Sequence, residues 1–298
     1  MASRLRSLFD EAKESRTSYL LLLPYVVYFL AFLAYPLLFA FYLTFHEWAI
    51  IAPEKPFVGL RNYARLLQDD VFWTSMKNVL VYLSINLPAQ MILSLALALL
   101  VNQKIRFRGF FRSVFFMPSV VSGVVVSTVF LWLYSPQFGL LNYYLGKIGL
   151  PPQRWITSVS QAMPSISLMA SWRQVGYFAV IYLAGLQAIP PVLYKASAVD
   201  GANSWRQFWH VTLPLLNPTI LLVLMVSTIW GFLVFTEPFV MTEGGPLHAT
   251  TTPTLYLYKE AFSYLRMGYA ATVGVVLGLI ILVINVVEKK WVEREIAY

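Results

Sequence analysis

Residues 194–214 read Tyr-Lys-Ala-Ser-Ala-Val-Asp-Gly-Ala-Asn-Ser-Trp-Arg-Gln-Phe-Trp-His-Val-Thr-Leu-Pro, a polar segment set between two long apolar runs. After Pro190-Pro191, the residues from Val192 to Asp200 suit a short helix. Gly201 is placed to end it, because glycine takes the left-handed backbone at a helix C-terminus without steric penalty. Ser204, with Gln207 three places on, has the capping-box pattern and predicts a second helix from Trp205 to near Pro214. Trp205, Phe208, Trp209 and Thr212 then fall at i, i+3, i+4 and i+7, which makes one apolar face with a wet face opposite. Such a face at a membrane border needs something to lie against.

Outward from this segment the chain is greasy. Of 298 residues 58% are hydrophobic and 12% charged, and the charges fall almost entirely between apolar runs. Crossing a bilayer takes about 20 helical residues. Six runs reach that length, at about 19–45, 72–101, 110–134, 163–189, 215–241 and 267–287, so an all-α polytopic membrane protein is expected. The first run is too long for a signal-peptide core and lacks a convincing cleavage site, so it is expected to stay as an anchor. Ahead of it, residues 1–18 carry Arg4, Arg6, Lys13 and Arg16, and Leu5, Leu8, Phe9 and Ala12 share a helical face, the pattern of an interfacial helix. The expected organisation is therefore that helix, one transmembrane domain over 19–288 interrupted by the loop at 190–214, and a charged tail over 289–298. Short surface helices are expected over 60–67 and 256–264, and Pro136, Gly139, Gly146, Gly149, Pro151 and Pro152 mark a broken excursion over 135–160. Thirteen lysines and arginines fall on the side of residues 190–214 and seven on the other, so the positive-inside rule places that loop and both termini in the cytoplasm.

Composition also excludes chemistry. The chain has no cysteine, hence no disulfide and no thiolate metal site. Its formal charge of +8 sits in short loops beside apolar runs, which is a topological pattern and not a nucleic-acid footprint. No Walker loop and no His-Glu-x-x-His motif occurs, and His46, His210 and His248 lie in separate loops. No catalytic residue, metal site or bound cofactor is expected.

A solute path through helices needs polar groups within the spans. Asn86 and Gln90 share a face of the second run around Pro88, Ser119 and Ser122 follow Pro118 in the third, and Ser227 and Trp230 lie midway along the fifth. Amides, hydroxyls and a flat ring suit the hydroxyls and apolar face of a sugar, while the same residues also serve as glue between helices. Arg173 and Glu237 lie toward the outer ends of the fourth and fifth runs, where they can pair with each other or meet substrate. A self-sufficient carrier of small polar solutes is the alternative reading, although ion-coupled carriers usually hold carboxylates deeper in the bilayer.

The Ala196, Ala198, Asp200, Gly201, Ala202 core, followed by Leu213-Pro214, resembles the EAA loop of binding-protein-dependent permeases, specifically those of carbohydrate-type ABC importers. Arg108-Gly-Phe-Phe-Arg112, Phe116-Met-Pro-Ser119, Phe138-Gly-Leu-Leu-Asn142, Met241 to Pro246 and Met267-Gly-Tyr-Ala270 extend the resemblance from about residue 57 onward. It implies a type I importer permease fold in the bacterial or archaeal inner membrane. It also implies a second homologous permease, two ATPase subunits that carry ATP and magnesium, and an extracytoplasmic substrate-binding protein. In that family the loop is the coupling helix seated in a groove of the ATPase. Trp205, Phe208 and Trp209 would supply its buried face, and Lys195, Asp200 and Arg206 its polar contacts. Lys195 departs from the family's usual glutamate, and Ser197 stands where a second alanine is common.

Overall fold

A computed structural model describes residues 16–103 and 106–293. The expected interfacial helix over 1–18 and the end of the tail therefore fall almost wholly outside the described residues. The chain runs through α1 (Arg16–Phe29), a π-turn (Leu30–Ala34) and α2 (Tyr35–Leu43), then α3 (Arg61–Leu67), α4 (Asp70–Asn102), α5 (Arg108–Val120) and α6 (Gly123–Leu133). After α7 (Leu140–Lys147) come α8 (Ala162–Ala188), α9 (Pro191–Val199) and α10 (Ser204–Gln207). A second π-turn (Phe208–Thr212) leads into α11 (Leu213–Leu215), α12 (Asn217–Phe232) and α13 (Thr236–Thr242). Last are α14 (Pro253–Tyr258), a third π-turn (Lys259–Ser263) and α15 (Met267–Val292). Among the described residues extended pairing is limited to the bridges His46 with Phe57 and Ala49 with Arg266.

Four helical stretches are long and apolar enough to cross a bilayer: Leu20–Leu43, Asp70–Asn102, Asn217–Thr242 and Met267–Val292. Two bent pairs, α5 with α6 and α8 with α9, bring the number to six when each counts as one crossing. The continuous third span expected from the sequence is in fact broken. α5 and α6 meet at 91°, because Val121 and Ser122 adopt extended backbone just after Pro118 has removed a ladder donor. At 13 and 11 residues, neither half reaches across hydrocarbon alone.

The described residues divide into two compact units. One runs up to Leu67 and includes Glu260–Val275. Within it Asn62 donates from Nδ2 to the carbonyls of Thr44 and His46 at 2.8 and 3.1 Å, which ties α3 to the turn that follows α2. No residue of the Leu20–Leu43 span is fully buried against the chain itself.

The other unit comprises Gln68–Lys259 and the chain from Val276 onward. Asp69 caps α4, accepting from the N–H groups of Val71 and Phe72 at 2.9 and 3.2 Å, so the helix starts two residues before the expected Phe72. Along most of its length α4 packs on α8. One half of this contact is apolar, with Ala98, Val101, Phe178, Tyr182, Leu183 and Leu186 joined by Leu216 and Val223. The other half is a polar seam: Asn86 donates to Ser171 Oγ at 3.0 Å, Gln90 donates to Asn86 Oδ1 and to Gln174 Oε1, and Ser94 donates to the Val175 carbonyl. α5 crosses α8 at Gly176, where a Cβ would stand 1.9 Å from the Phe115 carbonyl oxygen. Only glycine permits that approach. The outer excursion after α6 is organised by Asn142, which donates to the Gln153 carbonyl and accepts from Gln153 N and Trp155 Nε1.

Candidate functional site

Two assemblies in the larger unit carry the residues singled out above. The first is the hairpin of α9 and α10. α9 begins at Pro191, as the fixed φ of proline favours, and Gly201 ends it with φ +80°. The N–H groups of Asp200, Gly201 and Ala202 fold back onto the carbonyls of Ala196, Ala198 and Ser197. Any side chain at Gly201 meets open space, so the backbone angle alone demands glycine.

The expected cap on the second helix needs correction. Asn203, not Ser204, is the cap: its Oδ1 accepts from Arg206 N at 2.9 Å, its backbone is extended, and Ser204 is already helical. Gln207 does not close a capping box. Its Nε2 instead reaches back across the turn to the Tyr194 carbonyl and Ser197 Oγ, each at 3.1 Å, and Tyr194 Oη bonds Thr212 Oγ1 at 3.0 Å. These bonds brace the two arms of the hairpin, and Ser197, the small departure from the alanine pattern, is one of the acceptors. The helix ends near Pro214, as expected, with α11 closing at Leu215. At the π-turn the ladder shifts register, with Leu213 N–H donating to the Phe208 carbonyl, so the residue lacking an N–H falls at the start of α11.

The hairpin's apolar side chains are turned outward. Trp205 is 68% exposed, Trp209 46% and Val199 89%. Trp205 and Phe208 each lie against Trp209, with ring centroids 5.6 and 5.2 Å apart, so the rings form one preassembled surface. Lys195, Ala196, Asp200, Ala202 and Arg206 lie along the same hairpin, with Lys195, Asp200 and Arg206 exposed and outside any ion pair among the described residues. Leu213 is half-buried and Pro214 exposed. A cavity of about 370 Å³ opens behind Phe208, between Gln207, Tyr194 and the end of α4 at Asn102 and Gln103.

The second assembly lies where α12 breaks before α13. Arg173 Nη2 donates to Glu237 Oε1 at 2.8 Å, with the two side chains 19% and 5% exposed. The pair walls a polar cavity of about 220 Å³ together with Gln174, Trp230 and Thr236. Trp230 is held by Tyr177 and Phe178 at centroid distances of 5.1 and 5.5 Å, and it is 40% exposed. Gly123, the first residue of α6, sits beside Thr236 and Glu237, so the positive end of α6 lies near the carboxylate, while Ser122 just before it is exposed.

Of the residues considered for a solute path, Arg173, Trp230 and Glu237 are thus brought together. Asn86 and Gln90 are wholly buried one layer behind, joined to the cavity wall through Gln174. Ser227 is buried, and its hydroxyl has no partner among the described residues. Ser119 donates to the Phe116 carbonyl at the α5 bend. Gln174, Tyr177 and Thr236 escaped the sequence reading. Gln174 had a legible signal, since it neighbours Arg173 in an otherwise apolar run. Among the described residues no three acidic or histidine side chains cluster as a metal site.

Comparison with known proteins gives this geometry its context. Residues 90–295 match the family model described as binding-protein-dependent transport system inner membrane component. The arabinooligosaccharides transport system permease protein of Bacillus subtilis (strain 168) is 36% identical, over 96% of this chain and 90% of its own. The trehalose/maltose transport system permease protein of Thermococcus litoralis is 34% identical, over 86% and 85%. The sn-glycerol-3-phosphate transport system permease protein of Agrobacterium fabrum is 31% identical, over 94% and 96%. Among solved structures, a bacterial ABC transporter involved in the import of the acidic polysaccharide alginate superposes with a TM-score of 0.81 at 26% identity, covering 95% of this chain and 97% of that one. Family membership sets aside the self-sufficient carrier, because ATP hydrolysis on separate subunits drives these importers. The chain belongs to the inner-membrane components of binding-protein-dependent transport systems, as a multi-pass permease subunit of an ATP-driven importer.

Proposed function

We propose that this chain gates the passage of a sugar or related polar solute across the inner membrane, as one of two homologous permease subunits. Two ATPase subunits, holding ATP and magnesium, dock against the α9–α10 hairpin on the cytoplasmic side, where both termini also lie. An extracytoplasmic binding protein delivers the solute to the opposite face. The printed substrates of the relatives, from arabinooligosaccharides to glycerol phosphate, support this solute class.

The observation that carries the reading is the Trp205–Phe208–Trp209 surface, with both tryptophans exposed, on a hairpin whose arms are bonded to each other. Its ends continue into α8 and α12. The polar cavity is built from those helices, with Arg173 and Gln174 on one and Trp230 on the other. Displacing the hairpin as a lever when the ATPases close therefore moves the two walls of the cavity relative to each other. Arg173 and Glu237 offer the solute a donor edge and an acceptor edge, and Trp230 a flat apolar face.

Gly201→Val tests the lever. A β-branched residue at φ +80° costs about 1–2 kcal/mol and re-aims the second arm of the hairpin. Solute uptake into reconstituted vesicles should collapse while the variant still inserts in the membrane. Uptake at the native rate would overturn the lever.

A further inference from the structure

In the unit that holds α1–α3, a cavity of about 410 Å³ is lined by Arg61, Arg65, Arg266, Glu47, Trp48 and Tyr269, among others. Arg61 and Arg65 stand at i and i+4, on one face of α3. The Arg65 guanidinium lies 4.2 Å from the Tyr269 ring centroid, a stacking contact that leaves its N–H edge available to an anion. Arg266 is held at 3.3 Å by Glu260, itself 3% exposed. The walls are fixed by backbone: Ala49 bridges to Arg266, and Gly268 N–H donates to the Trp48 carbonyl. Three guanidiniums thus meet two carboxylates, Glu47 and Glu260, leaving one positive charge. Lys55, placed over the Trp48 ring, adds another at the flank.

The cavity's depth is set by two spans. Tyr269 is the third residue of α15, and Trp48 follows the end of α2 by five positions, so both lie at a bilayer boundary, where aromatic residues collect. Edge to face with Trp48, at 5.8 Å between ring centroids, is Phe39, on the span that has no fully buried residue. The charged cradle is therefore linked through Trp48 to an apolar flank, and an amphiphile with an anionic head fits both.

We propose that this cavity binds the phosphodiester of an anionic phospholipid, with Arg61 and Arg65 on the phosphate oxygens and the acyl chains along Phe39 and the α1–α2 span. The residual positive charge selects an anionic over a zwitterionic headgroup. Only the choice of leaflet rests on the orientation proposed above; the site itself does not.

The test uses the assembled transporter in nanodiscs. Phosphatidylglycerol and phosphatidylcholine are the probes, and lipid retained through mild detergent extraction is counted by native mass spectrometry. Arg61→Gln with Arg65→Gln should lower phosphatidylglycerol retention by roughly thirtyfold and leave phosphatidylcholine unchanged, about fivefold per lost cation. Arg61→Lys with Arg65→Lys keeps the charge and should retain most of the lipid, which separates loss of the site from loss of the fold. Equal retention by wild type and the glutamine pair overturns the proposal. So does a glutamine pair that weakens association of the extracytoplasmic binding protein in phosphatidylcholine-only discs, since that outcome assigns the arginines to a protein partner. Uptake defects at Gly201 bear on the lever alone and leave this measurement untouched.

Discussion

The α9–α10 hairpin and the α4–α8 seam treat their side chains in opposite ways. On the hairpin, tryptophans face outward and the polar groups Gln207, Tyr194 and Thr212 turn inward to bond one another. In the seam, Asn86, Gln90 and Ser94 are buried at 0–1% exposure and bonded across two spans. Large exposed aromatic surface on a braced element indicates a partner yet to be added, because leaving it wet forfeits the burial such residues normally gain. Buried amides in hydrocarbon indicate the reverse, a contact made within the chain, here with Gln90 Oε1 left without a partner among the described residues.

The largest effect expected from this contrast is on the hairpin. Trp205→Ala with Trp209→Ala should cost about 4 kcal/mol of ATPase association, on the order of a thousandfold, since buried tryptophans dominate interfaces. The same pair should leave the thermal stability of the isolated chain unchanged. Pull-down of the ATPase subunit alongside thermal unfolding in detergent reads both quantities. A drop in stability of the isolated chain would erase the contrast.

The buried ion pair comes next. Glu237→Gln alone leaves Arg173 without its partner and should destabilise the chain by about 3 kcal/mol, the low end for a buried pair because Arg173 is partly exposed. Arg173→Met with Glu237→Gln should recover most of that loss while still abolishing uptake. If the double variant transports, the pair is scaffolding and the cavity's chemistry lies elsewhere on its walls.

Smallest is Lys195. Its exposed ammonium sits where related permeases usually carry a glutamate, so the ATPase groove facing it is expected to offer an acidic or neutral group. Lys195→Glu should then lower ATP-coupled uptake about two- to fivefold, as the exposed setting of the charge implies. Better coupling with the native ATPase would show that the groove follows the family's usual charge pattern.

Apolar run length alone located the spans, because a helix must satisfy its own backbone groups wherever water is absent, and that requirement is written locally in composition. The turn at Gly201 was equally legible, being a property of neighbouring residues, but the face expected from Trp205 to Thr212 was not, because the π-turn over Phe208–Thr212 leaves Thr212 inward while Trp205 and Trp209 stay exposed. What local pattern could not reveal turned on backbone geometry and distant contacts. Asn203 caps in place of Ser204 because the extended dihedrals end one residue earlier, and the ladder slips at a π-turn over Phe208–Thr212 that no propensity encodes. The third span breaks at 91° at Val121 and Ser122, and upstream of that bend α5 packs at Phe115 on Gly176 of α8, a meeting of residues some sixty positions apart. Arg173 and Glu237, separated by 64 positions, and Asn86 with Ser171, separated by 85, could each be named as polar residues in apolar runs. Whether such a residue faces a solute or a neighbouring helix depends on how the helices rotate as they pack. That rotation is decided by the summed fit of all their contacts, and only the tertiary structure contains it.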